Sequence, residues 1–237
     1  RHIREVFDVI IEEGVKVVAT GAGDPSPFIE ELHSHDILVI PVVPSVGLAK
    51  MMEKKGVDAV VAEGMESGGH IGMLTTMTLV PQVVDALKIP VIAAGGIADG
   101  RGVAAAFMLG ASGVQMGTRF LASEESEVHD NFKNAVVKAK DIDTLVTGEL
   151  MGNRARVLKT KMSKNFVKQE RIEITKPKPD ADAIEELENG SLRRAVLDGD
   201  KENGAFMAGQ ISGMITEIKP VAQILEDVWS QAEDLLN

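Results

Sequence analysis

The chain has 237 residues, 44% of them hydrophobic and 26% charged, enough to bury the core of one large domain or of a domain with an insert. A formal net charge of −11 and an aromatic content of 3% argue against a nucleic-acid partner, and the apolar runs fall far short of the ~20 residues that cross a membrane. The absence of Cys excludes disulfides, thiolate nucleophiles and Cys-ligated metal, which fits a cytoplasmic protein. No metal site is expected, because His33 and His35 do not share a helix face and have no third ligand nearby.

Five apolar strands alternate with helical segments in the first half of the chain. The strands are continuously apolar, which is typical of parallel strands covered on both faces. The repeated order of strand, turn and helix therefore predicts an α/β protein with a parallel sheet. The predicted strands are residues 15–20, 37–43, 58–63, 90–94 and 113–116.

Helix signals lie between these strands. Gly14 closes a predicted helix over residues 3–13, and Ser45 is placed to cap a helix over 46–55 that Gly56 ends. Pro81 is expected in the first turn of a helix that runs to residue 88. A further helix is predicted over residues 101–109.

Two parallel architectures compete, a doubly wound sheet and an eight-stranded barrel. The turn after the first strand contains Gly21 and Gly23, but Ser26 stands where a dinucleotide fingerprint has its third glycine. No carboxylate ends the second strand to bind a ribose. The barrel is favoured, because each unusual turn follows the carboxyl end of a strand, where barrel enzymes carry their chemistry.

Two of these turns predict a phosphate site. Gly95 and Gly96 follow the fourth strand and lead into a helix, so backbone N–H groups converge there. Gly117 and Thr118 follow the fifth strand and add a hydroxyl group. Paired turns after the last two strands of a barrel commonly hold a phosphate.

The turn after the third strand holds His70 among four glycines, residues 64, 68, 69 and 72. An imidazole with an ordinary pKa of about 6.5 exchanges protons near neutral pH, and glycine backbone lets a ligand come close. His70 is thus a candidate acid or base. The alternative is a loop histidine that only hydrogen-bonds its neighbours.

Four motifs together resemble the flavin-dependent enoyl-acyl-carrier-protein reductase II group of the nitronate monooxygenase family. The resemblance covers nearly the whole chain and implies an FMN-binding β/α barrel that uses NADH or NADPH. The motifs are EGMESGGHIG at 63–72, AAGGIADG at 93–100, QMGTRF at 115–120 and AGQISG at 208–213.

The resemblance also implies roles for individual residues. His70 falls on the family's catalytic histidine, while Met73 and Gln210 are candidates for contact with the substrate. Monooxygenases of the family usually have Gln where this chain has Glu63, which favours the reductase. The implied flavin contacts are Glu63, Gly68, Gly69, Gly95, Gly96, Gln115, Met116, Gly117 and Thr118.

The fold class that we expect is a TIM-type (β/α) barrel with an inserted, mostly helical lid. Only five strands are visible where the family has eight, so the amino-terminal three are expected to be missing. Residues 1–140 form the barrel portion with the flavin site, 141–203 the lid, and 204–237 a return loop and closing helix.

The lid has a basic cluster that is either a solvated face or a surface that attracts an acidic carrier protein: Lys159, Lys161, Lys164, Lys168 and Arg171.

The resulting functional hypothesis is NAD(P)H-dependent reduction, through FMN, of a trans-2-enoyl thioester on acyl carrier protein. Two alternatives stay open, a nitronate monooxygenase and a flavin-binding fragment without turnover. A homodimer and a requirement for a monovalent cation are open as well.

Overall fold

The computed structural model describes residues 3–21 and 23–237, so Ala22, in the turn after the first strand, lies outside the described residues together with Arg1 and His2. The strands are β1 (Val17–Thr20), β2 (Leu38–Val43), β3 (Val60–Glu63), β4 (Gly69–His70), β5 (Val91–Ala94), β6 (Gly113–Gln115), β7 (Thr144–Thr147) and β8 (Ala155–Leu158). The helices are α1 (Ile3–Glu12), α2 (Ser26–Ser34), α3 (Val46–Lys54), α4 (Thr76–Ala86), α5 (Gly100–Met108), α6 (Thr118–Leu121), α7 (Asp130–Val137), α8 (Lys161–Ile174), α9 (Ala181–Glu188), α10 (Ser191–Arg193) and α11 (Val221–Leu236). A π-helical turn, Arg194–Asp198, follows α10, and a 3₁₀ turn, Gln210–Met214, precedes α11.

Five strands form one parallel sheet in the order β1-β2-β3-β5-β6. The predicted α/β class and all five predicted strands are confirmed, with shifts of one or two residues at their ends. In the register of the sheet, Glu63 pairs with Ala94, and Ala94 pairs with Gln115. The carboxyl ends of β3, β5 and β6 therefore lie side by side, and the turns that follow them share one edge.

The sheet is buried because helices cover it. Val39, Val60 and Ala93 on the strands are fully buried, as are Leu79 on α4 and Val103 on α5. These residues belong to one continuous apolar core, which explains why the strands read as unbroken apolar runs. Helix α11 extends the core by packing against α5.

The predicted lid contains strands as well as helices. Strands β7 and β8 pair antiparallel, and β8 also pairs with β4, giving a second sheet in the order β4-β8-β7. Residues 141–203 therefore combine these two strands with the helices α8, α9 and α10. Two four-residue strands in a charged segment are too short to produce a periodic pattern, and their pairing becomes visible only in three dimensions.

Helix α4 begins five residues earlier than the sequence indicated. Pro81 lies inside the helix rather than in its first turn. The helix starts at Thr76 because its amide donates to the Glu66 carboxylate, with 3.0 Å from the nitrogen to each oxygen. A cap supplied from ten residues away is a tertiary contact, and local sequence cannot reveal it.

Among the described residues, no helix combines the length and the apolar character that are needed to span a bilayer.

Replacing Leu79 with Ala tests the core. The side chain is 0% exposed on α4, so the cavity left behind should reduce the free energy of unfolding by about 2–5 kcal/mol. Met77→Ala is the matched control on the same helix, because Met77 is 63% exposed and its truncation should change stability by less than about 0.5 kcal/mol. Urea unfolding followed by circular dichroism measures both. Equal losses in the two variants would contradict this packing.

Candidate functional site

A cavity of about 350 Å³ lies at the carboxyl edge of the parallel sheet, within the size range of small-molecule sites. Its walls come from the turns after β3, β5 and β6 and from the return loop before α11. All nine residues predicted to contact the cofactor line it. The structure therefore brings together the three separate turns that the sequence singled out.

The turn after β5 requires its two glycines for different reasons. Both adopt positive φ, +89° at Gly95 and +73° at Gly96. A Cβ at Gly95 would lie 2.7 Å from the carbonyl oxygen of Gly64, whereas one at Gly96 would make only ordinary contacts with Glu66. Gly95 thus keeps two turns in close contact, and Gly96 keeps backbone exposed at the cavity wall.

The start of α5 is not available to an anion, which corrects the prediction made from the sequence. The Asp99 side chain accepts a hydrogen bond from the Arg101 amide at 3.0 Å, and Gln231 Oε1 accepts one from the Gly100 amide at 2.8 Å. These amides are therefore already paired. Backbone donors for a phosphate must come from the glycine turn itself and from the turn at Gly117.

The turn after β6 joins the cavity to the return loop. Thr118 is buried, and its Oγ1 accepts a hydrogen bond from the Gly209 amide at 2.9 Å. The Thr118 hydroxyl keeps its own hydrogen for donation. Gly117 has φ −98°, and a Cβ built there meets no atom within 4 Å, so this turn borders open space.

Glu63 is a half-buried carboxyl group in the cavity wall. Burial raises its pKa above the ordinary value, and the neighbouring Ser67 hydroxyl acts in the opposite direction. Ser67 Oγ is itself buried and has no hydrogen-bond partner of normal geometry, which leaves it free to bond to a ligand. Two polar groups on one turn are thus available inside the cavity.

Glu66 supports the cavity through a hydrogen-bond network around Thr76. The Thr76 hydroxyl lies 3.0 Å from Glu66 Oε2 and 2.9 Å from the Gly95 carbonyl oxygen, and it donates its one hydrogen to either acceptor. The Glu66 carbonyl oxygen also accepts from the Gln210 amide at 2.9 Å. The turns after β3 and β5, α4 and the return loop are therefore held in one arrangement.

His70 lies on the rim rather than in the cavity wall. It forms β4 with Gly69, is exposed, and pairs with Ala155 on β8. Its neighbour on the insert is Glu188 at the end of α9, where burial raises the pKa of that carboxyl and the charge of His70 opposes the shift. The imidazole is therefore accessible beside the cavity mouth and close to an insert carboxyl.

Arg156 on β8 supports the backbone of the turn that leads to His70. The side chain is 4% exposed, and its Nε and Nη2 donate to the Met65 carbonyl oxygen at 3.1 and 2.9 Å. Its Nη1 donates to Thr144 Oγ1 on β7 at 3.0 Å. The insert therefore forms part of the structural support of the site.

The two predicted substrate residues lie outside the cavity wall. Met73 is 71% exposed, and the Gln210 side chain is exposed while its amide bonds to Glu66. Sequence reasoning missed other lining residues that stand in the first and fourth motifs or, for Met207, directly before the fourth, so the motifs themselves were the available signal. These residues are Glu66, Ser67, Met207, Gly209 and Ile211.

Comparison with known proteins identifies the family. The nitronate monooxygenase family model matches residues 3–231. The chain belongs to the nitronate monooxygenase family. Its members and the structural neighbours named below are flavin-dependent oxidoreductases, so the expected enzyme class is confirmed.

Two curated relatives are probable nitronate monooxygenases. The one from Staphylococcus saprophyticus is 35% identical across 100% of this chain and 68% of its own length. The one from Staphylococcus aureus strain JH9 is 37% identical across 97% of this chain and 66% of its own length. The chain therefore spans about two thirds of the length of these relatives.

Two solved structures show the same fold. FabK from Thermotoga maritima has a TM-score of 0.92 and 52% identity, covering 99% of this chain and 73% of that one. Nitroalkane oxidase from Streptomyces ansochromogenes has a TM-score of 0.79 and 28% identity, covering 96% of this chain and 67% of that one. The predicted TIM-barrel-type fold is confirmed by these likenesses.

The cavity fits a flavin. Among the described residues that line it, none is a Lys, Arg or His, so a phosphate would rest on backbone N–H groups of the glycine turns. Ser67 Oγ lies beside the Glu63 carboxyl without a hydrogen-bond partner of normal geometry, so the two groups offer a polar ring edge one hydroxyl and one carboxyl. Met116 and Met207 supply apolar wall, as a planar ring requires.

Gly117→Ala tests the phosphate end of the site. The backbone at Gly117 accepts Ala without strain, so the variant should fold, while its methyl group would fill the open space beside the turn. We expect flavin affinity to fall by about tenfold or more. The ratio of flavin absorbance to protein measures the loss, with circular dichroism as the check on folding.

Gly113→Ala is the matched control, at the opposite end of the same strand. A Cβ there makes an ordinary contact of 3.9 Å with Ile92, so flavin content should stay at the wild-type level. A folded Gly117→Ala protein with full flavin content would rule out this placement of the phosphate.

Proposed function

We propose that this protein is an NAD(P)H-dependent, FMN-containing reductase of trans-2-enoyl thioesters carried on acyl carrier protein. The observation that carries the proposal is the likeness to FabK, an enoyl-acyl-carrier-protein reductase II, at 52% identity. The identity to the nitroalkane oxidase is 28%, and to the probable nitronate monooxygenases 35–37%. The reductase is therefore the best-supported activity.

Each part of the cavity has a role in this proposal. Bound FMN would supply the redox chemistry by taking hydride from NADH or NADPH and passing it to the β-carbon of the enoyl group. The backbone of Gly95, Gly96, Gly117 and Thr118 would hold the phosphate. Glu63 would contact the polar edge of the ring.

His70 is the proposed catalytic acid. An exposed imidazole on the rim can meet a substrate that enters from solvent, and it is paired through the backbone to β8, which limits its movement. From this position it would hydrogen-bond the thioester oxygen or deliver a proton to the α-carbon. Contact of Met73 and Gln210 with the acyl chain is part of the same proposal and needs a conformation in which those side chains turn towards the mouth.

The carrier protein would approach the basic side of the insert. Lys164, Lys168 and Arg171 lie on α8 at helical spacing and are exposed, and within the part of the chain that the structure describes they form no ion pair. Lys161 is paired with Glu202 at 2.5 Å. A cationic stripe on a chain of net charge −11 would attract an acidic partner at this surface.

Dimerisation, cation dependence and a cytoplasmic location stay predictions.

A nitronate monooxygenase is the second candidate. The names of the curated relatives favour it, and the same cavity and histidine would serve a small nitronate, with oxygen as the oxidant. A flavin-binding protein without turnover is the third candidate.

Substrate assays separate these candidates. NADH or NADPH oxidation by the flavin-loaded protein should accelerate strongly on addition of crotonyl or longer enoyl thioesters, compared with oxygen alone. A spectrophotometer at the nicotinamide absorbance band measures the rate, and an oxygen electrode measures consumption with propyl nitronate. Rapid nitronate turnover without acceleration by enoyl thioesters would make the nitronate monooxygenase the better-supported function. Absence of turnover with either substrate would support a flavin-binding protein without catalytic activity.

His70→Ala tests the catalytic assignment. Reduction of the flavin by NAD(P)H needs no acid at the enoyl carbon, so it should persist, whereas reoxidation by enoyl thioester should slow by about 10²–10⁴-fold. Stopped-flow absorbance resolves the two half-reactions. His35→Ala, at an exposed position just after α2, is the control and should change neither rate. Flavin reoxidation at the wild-type rate in the His70 variant would contradict the catalytic assignment and indicate a structural role for this histidine.

A further inference from the structure

We propose that Glu63 acts as a neutral carboxylic acid that donates a hydrogen bond to the flavin ring, and that flavin affinity therefore falls when this proton is lost. The inference rests on the flavin site of the proposed function and adds the protonation state of one residue. It concerns affinity for the cofactor and is measured without turnover.

The position of Glu63 isolates it from cations. It ends β3 in the middle of the sheet, with Ala94 on β5 beside it in the register. Within the described cavity wall, the β5 turn, the β6 turn and the return loop contribute no charged side chain, and the one other charged group is Glu66. The Arg156 guanidinium of the insert is engaged by the Met65 carbonyl oxygen and Thr144, and the charge that it interacts with is that of Glu66.

Glu66 gives Glu63 no positive charge to pair with, because it is itself an acid. Its carboxyl oxygens accept a hydrogen bond from the Thr76 amide at the start of α4, which holds the side chain in place and directs it towards that helix. A second carboxylate in the same cavity, without a cation, would lose hydration and gain no charge partner. The neutral acid avoids both costs.

A ligand strengthens this preference. A bound flavin would cover the cavity and remove water from Glu63, which favours the uncharged form further. Burial already raises the pKa of this carboxyl in the protein alone, in the same direction. The acid form has one O–H donor and one carbonyl acceptor, whereas the carboxylate has acceptors only.

Neutral Glu and Gln present the same pattern of one donor side and one acceptor side on the same framework. The two side chains would therefore bind the ring alike at low pH. They differ once Glu63 ionises, because the carboxylate has no hydrogen to donate and would repel the ring oxygens and nitrogens that accept from the acid. Affinity is thus highest below the pKa of Glu63 and falls as the pH rises through it.

The experiment is titration of the flavin-free protein with FMN, followed by quenching of flavin fluorescence, from about pH 5 to about pH 9. The variants are Glu63→Gln and Glu63→Ala. Wild-type affinity should fall by about tenfold or more over this range relative to Glu63→Gln. Titrations of the phosphate, of the flavin and of other residues occur in both proteins, so their ratio isolates Glu63.

Each outcome has one reading. Affinity of the Gln variant equal to that of wild type at low pH, with divergence at high pH, supports the neutral acid, and weak binding by Glu63→Ala at every pH supports the donor role. Parallel profiles for wild type and Glu63→Gln overturn the inference while the flavin site stands. Absence of FMN binding by the wild-type protein overturns the flavin site and this inference together. Circular dichroism of each variant checks that it is folded.

Discussion

The hydrogen bonds around Thr76 are the interaction on which the rest of the site depends. Its amide and hydroxyl bond to Glu66, and the same hydroxyl lies within reach of the Gly95 carbonyl oxygen. One buried residue thus starts α4, positions the turn after β3 and holds the turn after β5. Without it, the backbone that lines the cavity would have no common anchor, because the two glycine-rich turns have little side-chain packing of their own.

The inserted segment extends this support to the rim. Strand β8 pairs with β4, and its buried Arg156 bonds to the Met65 carbonyl oxygen just before the catalytic candidate. The turn that carries His70 is therefore held on one side by the barrel portion and on the other by the insert. The insert thus fixes the backbone that carries the imidazole and places the Glu188 carboxyl beside it.

The cavity has few charged groups. Its described wall has no basic side chain, so a phosphate there would depend on backbone N–H groups, and burial raises the pKa of the Glu63 carboxyl in the same wall. Under the proposed function, such a wall would hold the cofactor without specifying the substrate. Selection between an enoyl thioester and a nitronate would then fall to the rim, where His70 and Glu188 lie.

The sequence by itself determined the five parallel strands and the three turns of the site, because continuous apolar runs and glycine clusters are local signals. The nine residues that the family resemblance assigns to the cofactor all line the cavity, because turns after neighbouring parallel strands meet at one edge of the sheet. Which hydrogen-bonding groups are free becomes clear only from the tertiary structure. The amides at the start of α5 donate to the Asp99 and Gln231 side chains, and Thr118 Oγ1 accepts from the Gly209 amide. The tertiary structure also decided where α4 begins and that the insert contains strands, because a distant cap and a pairing between distant segments leave no periodic trace in the chain.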